Sequence, residues 1–226
     1  MSKDSTFALP SQKRRELLDR ATSEYAESVA LALPYLEGRG IPADIAERWQ
    51  LGYVLDPLPG HERFKNYLSI PYLTKAGVTG IKFRCITDHG VDDEGARLPC
   101  EGHPKYDSEA GVGTYLFGAM SFWRNSPFIC ITEGELDAIA CDVAGLPAVG
   151  ISGATKWLSH WQFCFEGYEE VIVLADDDKA GEKLASNVTS SVYSARVITF
   201  PKGEDVNSYL VQHGPQALRE KVLGHE

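Results

Sequence analysis

Acidic side chains follow three apolar segments in the second half of the sequence. Glu133 comes directly after FICIT. Asp176 comes directly after EVIVLA, and Asp178 follows two residues later. Asp205 follows RVITF, after a turn that contains Pro-Lys-Gly. Carboxylate oxygens are hard ligands that suit Mg²⁺ or Mn²⁺, and Mg²⁺ usually combines a few protein carboxylates with substrate phosphates. These residue types and positions therefore predict a divalent-cation site that acts on phosphates.

Within the aspartate triplet, the spacing favours two of the three side chains as ligands. In an extended chain, residues two apart point the same way, so Asp176 and Asp178 can reach one centre while Asp177 faces elsewhere. A simpler interpretation of Asp178 is that it caps the helix that follows. Glu135 and Asp137 are interpreted as residues on the solvated first turn of a helix.

The apolar segments before these acids are predicted to be strands, and if the strands are neighbours, the acids converge on one crevice. FICIT, PAVGI, EVIVLA and RVITF are apolar throughout, and helical segments separate them. Such strands are typical of a parallel sheet with helices on both faces, in which ligands bind outside the carboxyl ends. The predicted fold class is therefore α/β, with a mostly parallel sheet over residues 126–226 and the carboxylates at one edge.

A smaller α+β subdomain is predicted over residues 1–125. Residues 11–33 have helical periodicity with Ser11 as the N-cap, and a short helix is predicted at Pro42–Trp49. The segment NYLSIPYLTKAGVTGIKFRCI predicts two strands joined by a Lys-Ala-Gly turn. Residues 87–112 are polar and contain several glycines, which predicts a long loop.

Composition and charge are those of an ordinary globular protein. The 226 residues are 43% hydrophobic and carry a net charge of −10. Residues 126–226 hold 15 of the 32 acidic residues but 7 of the 22 basic ones, so the negative charge is concentrated where the cation site is predicted. No apolar run approaches the roughly 20 residues of a membrane span, and the N-terminus lacks the apolar core of a secretory signal. A cytoplasmic location without membrane association is therefore expected.

The five cysteines predict reduced thiols, because their number is odd and their spacing is unpaired. Cys100 and His103 form one C-x-x-H pair, but a zinc site needs a second pair, and none is visible nearby in the sequence. Mg²⁺ or Mn²⁺ is therefore the expected cofactor, and zinc is not expected.

Three segments resemble the motifs of the Toprim fold, which primases, topoisomerases and some nucleases share: ITEGELDAIA, LADDDKAGEKLA and PKGEDVNSYL. Further segments are similar to parts of the RNA polymerase domain of bacterial and phage-type DNA primases, namely YLEGRGIPADIAERWQLGYV, LSIPYLTKAGVTGIKFRCI and PKYDSEAGVGTYLFG. The resemblance covers roughly residues 28–213. It implies the Toprim-fold catalytic core of a DNA primase, a nucleotidyltransferase that makes short RNA primers from NTPs.

The resemblance also implies roles for the acidic residues. Glu133, Asp176 and Asp178 match the family's catalytic acids, and together with Asp205 they match its metal ligands. Primases of bacterial type carry a second Asp two residues after the last of these, where this sequence has Asn207.

Basic residues near the predicted strand pair match positions that hold nucleotides in the family. Lys82 and Arg84 lie two apart on one strand and so share a face, and Lys105 matches the lysine of the Lys-Tyr segment. The resemblance implies that these three bind nucleic acid or NTP. Phe83 and Tyr106 are of a type that can stack on bases, but packing in the core is the favoured interpretation of both.

The implied partners are a single-stranded DNA template and NTPs, in a bacterium or a phage-infected host. Primases of this type carry a zinc ribbon ahead of the polymerase domain, and this sequence shows no ligand quartet before residue 85 and no Walker loop. A separate zinc-ribbon protein and a replicative helicase are therefore expected as partners. Two alternatives stay open: a Toprim metal-dependent nuclease, and a non-catalytic Toprim DNA-binding module of a replication or recombination complex.

Overall fold

The computed structural model describes residues 11–90, 100, 102–109, 113–152 and 157–224. The chain divides into two compact units, one of Met1–Tyr35 with Ala46–Gly113 and one of Leu36–Ile45 with Thr114–Glu226. The sequence predicts a boundary between residues 125 and 126, which differs from this division. The difference arises because a short strand before residue 125 pairs with the second sheet, and because the segment at 36–45 is hydrogen-bonded to the last helix.

The first unit contains a helix packed on a four-stranded antiparallel sheet of order β1-β2-β3-β4. The helices in the first part of the chain are α1 (Gln12–Ala26), α2 (Leu33–Glu37) and α3 (Ala43–Arg48), and the strands are β1 (Gly52–Tyr53), β2 (Tyr67–Thr74), β3 (Gly77–Cys85) and β4 (Tyr106–Ser108). The predicted strand pair and its turn are therefore present as β2 and β3. The loop predicted at 87–112 contains strand β4, and its residues 91–99, 101 and 110–112 lie outside the described residues.

The helix predicted over residues 11–33 is interrupted. Ser11 caps its start by accepting a hydrogen bond from the Arg14 N–H, as predicted, but α1 ends at Ala26 and a 3₁₀ turn precedes α2. Pro34 lies in the first turn of α2, where its missing N–H costs no intrahelical hydrogen bond, so a new helix can begin there.

Aromatic residues form much of the core of the first unit. Tyr25 of α1 packs on the sheet, and the rings of Phe64 and Phe83 are stacked with their centroids 3.9 Å apart. Phe83 is fully buried. Its ring thus belongs to the core and is not exposed for stacking on a base.

The second unit is built on a five-stranded sheet of order β5-β7-β6-β8-β9. Its strands are β5 (Leu116–Phe117), β6 (Phe128–Thr132), β7 (Ala148–Ile151), β8 (Glu170–Ala175) and β9 (Ala195–Thr199), and its further helices are α4 (Glu135–Val143), α5 (Lys179–Thr189) and α6 (Val206–Leu223). The four predicted strands are parallel, and β5 adds an antiparallel edge. The predicted α/β class with a mostly parallel sheet is confirmed.

Both faces of this sheet are covered, because successive strand residues pack against different helices. Ile129 and Ile131 of β6 lie in one buried cluster with Leu184 of α5. Cys130, between them, is hydrogen-bonded to Cys141 of α4. The central strands β6, β7 and β8 are therefore buried along almost their whole length, which is why their sequences show no alternation, whereas the edge strand β9 is partly exposed.

Two further features complete the second unit. The segment around Trp161 forms a 3₁₀ helix at Ser159–Cys164, and α6 continues to Leu223 through a kink at Gly214, whose φ is 86°. Within the described residues, no helix has both the length and the apolar character needed to cross a bilayer.

Candidate active site

Glu133 and Asp176 meet at the carboxyl edge of the second sheet. Strands β6 and β8 are parallel neighbours, with Ile131 beside Val173, so the residues that follow them leave the sheet at the same edge. The Asp176 N–H donates a hydrogen bond to Glu133 Oε1 at 3.1 Å. Two acids that are 43 residues apart in sequence are therefore in direct contact.

Asp178 and Asp205 stand at the starts of the two helices that leave this edge. Asp178 Oδ1 accepts hydrogen bonds from the N–H groups of Ala180 and Gly181, at 2.7 and 2.9 Å, which caps α5. Asp205 caps α6 by accepting from the Ser208 N–H at 2.6 Å. The capping interpretation of Asp178 is confirmed. It does not exclude cation binding, because a carboxylate has a second oxygen.

Asp137 joins these acids, although the sequence did not single it out as a site residue. It accepts a hydrogen bond from the Asn207 N–H at 3.2 Å, and its negative charge raises the pKa of Asp176. The prediction that Glu135 is solvated is wrong, because its exposure is 1%. The signal for Asp137 was its position in the first turn of α4, directly above the end of β6. We call Glu133, Asp137, Asp176, Asp178 and Asp205 the acidic cluster.

The acidic cluster strongly perturbs its central member. Burial raises the pKa of Asp176 to about 8, aided in decreasing order by the charges of Asp137, Glu133, Asp205 and Asp178. Burial also raises the pKa of Glu133, and the Asp178 charge adds to this while the hydrogen bond from the Asp176 backbone opposes it. A bound cation is what would favour the ionised form of such a group.

Four of the five carboxylates, those of Glu133, Asp137, Asp178 and Asp205, accept hydrogen bonds from backbone N–H groups. Among the described residues, they do not form a group whose donor atoms are drawn together as a metal shell would require. Like charges repel one another, and the hydrogen bonds from backbone N–H groups hold these carboxylates apart. The acidic cluster is thus a set of hard oxygen donors around one edge of the sheet, the donor type that divalent cations prefer.

Gly181 provides the close packing around Asp176 and Glu133. A Cβ atom at this position would lie 2.7 Å from Glu133 Oε1 and 2.8 Å from the Asp176 nitrogen, and closer still to the Asp176 carbonyl oxygen. Real Cβ atoms do not approach backbone atoms so closely. Only glycine therefore allows α5 to start against the end of β8 with the Glu133–Asp176 contact intact.

Gly181→Ala is expected to destabilise the chain by about 1–3 kcal/mol despite alanine's better helix propensity, because the new methyl group meets backbone that cannot move aside. Urea unfolding measures the change. Gly167→Ala is the matched control, since a Cβ there meets no atom within 4 Å, and it should alter the free energy of unfolding by less than about 0.5 kcal/mol. Equal effects of the two substitutions would contradict the packing argument.

The three predicted basic residues lie along the end of the sheet of the first unit. Lys82 Nζ and the Arg84 guanidinium each lie 4.6 Å from the centre of the Tyr106 ring, and Arg84 also contacts the Tyr106 hydroxyl. Arg84 is buried, with an exposure of 4%, whereas Lys82 is partly exposed and Lys105 is exposed. The partly buried Tyr106 ring therefore contacts both cations and does not belong to the buried core.

Asn207 is buried and bonded to the chain segment at 36–45. Its Nδ2 donates to the Arg39 carbonyl at 2.8 Å, and Arg39 donates to its Oδ1 at 3.1 Å. This side chain thus joins α6 to the Arg39 segment. In the sequence, Asn207 stands out only because it occupies the position of a metal-binding aspartate. The residues around it do not indicate a partner 168 residues away.

A convergent group of possible metal ligands lies in the first unit. The side chains of Cys85, His89, Cys100 and His103 place one ligand atom each within 4.8 Å of one another. The expectation that Cys100 and His103 have no second pair nearby was therefore wrong. The second pair, Cys85 and His89, lies across a loop, where sequence spacing alone did not reveal it.

The chain is similar in sequence to a Toprim-like family model, to a phage protein and to bacterial DNA primases. Residues 130–210 match the Toprim-like family model. The chain is 35% identical over 159 residues to the Gene 57 protein of Mycobacterium phage D29, an alignment that covers 70% of the chain and 99% of that protein. It is 27% identical over 252 residues to the DNA primase of Pseudomonas putida, covering 92% of the chain but only 38% of that primase.

A solved structure shows the same fold over nearly the whole chain. The RNA polymerase domain of the Mycobacterium tuberculosis primase DnaG superposes with a TM-score of 0.72 at 21% identity, covering 94% of this chain and 83% of that one. The match extends across both units, whereas the Toprim-like model reaches only the second. From its sequence relatives and its fold, the chain belongs to the family of Toprim-fold catalytic cores of bacterial and phage-type DNA primases.

Proposed function

We propose that this chain synthesises short RNA primers from NTPs on single-stranded DNA, as a metal-dependent nucleotidyltransferase. The observation that carries the proposal is the acidic cluster, in which Asp176 contacts Glu133 and has its pKa raised to about 8 by burial and neighbouring carboxylates. Strongly perturbed carboxyls gathered at a sheet edge mark a functional site more often than a structural one.

The donor set fits Mg²⁺ or Mn²⁺. The acidic cluster offers carboxylate oxygens, and neither Cys nor His is among its members, which suits hard cations. Glu133, Asp176, Asp178 and Asp205 would hold the ion, with Asp137 contributing negative charge. When bound, the ion supplies the positive charge that acidifies the primer 3′-hydroxyl and stabilises the α-phosphate and the departing pyrophosphate.

The chain's own residues would then position and deprotonate the reactants. A bond forms between the 3′-oxygen and the α-phosphorus while the bond from that phosphorus to the pyrophosphate oxygen breaks. The hydroxyl proton passes to a base, for which Glu133 is a candidate because its raised pKa makes it a better proton acceptor near neutral pH.

The basic residues of the first unit would bind the phosphates of template, primer or NTP. Lys82 and Lys105 are accessible for this, and the buried Arg84 holds the Tyr106 ring against which Lys82 lies. Such contacts give salt-dependent affinity with little sequence preference. A solved DnaG primase catalytic domain of this fold is bound to single-stranded DNA, which supports the same kind of template here.

Primer synthesis in the cell is proposed to involve two further proteins. The chain corresponds to 38% of the length of the Pseudomonas putida primase. We propose that a zinc-ribbon protein selects the template and that a replicative helicase brings the chain to single-stranded DNA, in the cytoplasm of a bacterium or a phage-infected host.

The test is a primer-synthesis assay with the full chain, single-stranded DNA, labelled NTPs and Mg²⁺, with and without a candidate zinc-ribbon protein. We expect labelled oligoribonucleotides that disappear when EDTA is added. A parallel reaction without NTPs contains labelled DNA, and metal-dependent cleavage there would identify a Toprim nuclease instead. DNA binding with neither synthesis nor cleavage would overturn the proposal in favour of a binding module.

A further inference from the structure

Two cysteines and two histidines lie together where the antiparallel sheet of the first unit ends. Cys85 is the last residue of β3, and His103 lies three residues before β4 begins at Tyr106. The sheet holds these two parts of the chain side by side, because Arg84 pairs with Tyr106 and the Cys85 N–H donates to the Lys105 carbonyl at 2.9 Å. Each side of the intervening loop thus contributes one Cys and one His.

The donor atoms have the spacing of a metal shell that is slightly expanded. All four lie within 4.8 Å of one another, and Cys85 Sγ is 3.3 Å from His89 Nε2. A tetrahedral zinc ion with bonds of about 2.3 Å to sulfur and 2.0–2.1 Å to nitrogen places its donors about 3.3–3.8 Å apart. Binding of the ion would draw the most distant donor atoms together by about 1 Å.

The surroundings of the group orient its ligands. His103 Nδ1 is 2.9 Å from the Tyr67 hydroxyl, which leaves Nε2 as the nitrogen available to a metal. Zinc-binding histidines commonly make such a hydrogen bond through the other ring nitrogen. Cys85 is buried, and Cys100 packs against the core cluster that contains Cys85 and Tyr67.

We propose that Cys85, His89, Cys100 and His103 form a structural zinc site. Two thiolates and two imidazoles make a closed four-ligand set, and this composition selects zinc over the hard cations expected at the acidic cluster. On binding, each thiol loses its proton to solvent and forms a sulfur–zinc bond without any change in oxidation state.

The site would fix the position of β4 relative to β3. The loop it closes leads directly into Lys105 and Tyr106, the residues that lie with Lys82 and Arg84 at the end of the sheet. Zinc therefore orders the basic surface from within the first unit. This inference does not depend on the proposed primer synthesis, since the ligands and the fold suffice for it.

Zinc content of the full chain, purified under reducing conditions without chelator, tests the proposal. We expect about one zinc per chain by elemental mass spectrometry. Cys100→Ser and His103→Asn, at partly exposed positions, should each lower the content at least tenfold. Cys164→Ser is the matched control, because Cys164 is an exposed free cysteine outside the group, and it should keep full zinc content.

Cobalt substitution separates metal binding from misfolding of a variant. After removal of the native metal, Co²⁺ added to the otherwise unchanged chain should give the intense visible bands of a tetrahedral site with two thiolates. Zinc below a tenth of an equivalent together with no such bands would overturn the proposal. So would a Cys85–Cys100 disulfide as the main form in reduced preparations, or full zinc content in both ligand variants.

Discussion

Asp176→Asn is expected to abolish primer synthesis while leaving the fold intact. The substitution removes the carboxylate at the centre of the acidic cluster, and with it a cation ligand that would stabilise several kcal/mol of transition-state charge. Since each 1.4 kcal/mol is about tenfold in rate, we expect a loss of about a thousandfold. The measurement is the initial rate of labelled primer formation at saturating NTP and Mg²⁺.

Asp176→Asn should not destabilise the fold, because the Asp176 carboxyl is already mostly uncharged in the folded chain. Because the pKa of Asp176 is raised to about 8, its carboxyl is mostly protonated in the folded chain at pH 7 before a cation binds. Asparagine has nearly the same shape as the protonated acid and removes a group that is costly to ionise. Thermal unfolding of Asp176→Asn without added metal should therefore match or exceed that of the unchanged chain.

Asp177→Asn is the matched control. It makes the same chemical change one residue away, at an exposed position whose side chain is not part of the acidic cluster. We expect its rate to stay within about twofold of the unchanged chain. Retention of more than a tenth of the activity by Asp176→Asn, or an equal loss in Asp177→Asn, would show that the triplet acts through its total charge and not through Asp176.

The contact between Glu133 and Asp176 shows what sequence reasoning can predict. Two strands that are apolar at every position must be buried on both faces, and this places them in a parallel sheet. Acids that directly follow neighbouring parallel strands then have to meet at one edge. The sequence does not show that β6 and β8 are neighbours, since β7 lies between them in the chain, so the contact across 43 positions follows from the sequence only if these two strands are adjacent.

Other contacts depend on distances that no local pattern contains. Cys85 and Cys100 are brought together by the register of β3 and β4, and β4 is only three residues long, too short to show a strand pattern. The bond between Asn207 and Arg39 joins the last helix to a segment early in the chain. Asp137 has the sequence position of an ordinary first-turn acid, because a helix start favours acidic residues whether or not they have a function.

The acidic cluster also makes a prediction about pH. A cation must displace the proton that Asp176 holds below its pKa of about 8. The apparent affinity for Mg²⁺ should therefore rise as pH increases, by up to about tenfold per pH unit between pH 6 and 8, and level off above that range. An ordinary aspartate, with a pKa near 3.9, would give no such dependence over this interval.

Isothermal titration calorimetry at pH 7, in buffers of different ionisation enthalpy, measures the protons released on Mg²⁺ binding. We expect a release approaching one proton per ion for the unchanged chain and for Asp177→Asn. Asp176→Asn should bind Mg²⁺ more weakly and lose most of this release, since asparagine has no proton to exchange. Binding that is independent of pH between 6 and 8 in the unchanged chain would mean that the ion bypasses Asp176. The carboxylates of Glu133, Asp178 and Asp205 would then be left as the ligand set, and Asp176 would have a structural role at the end of β8.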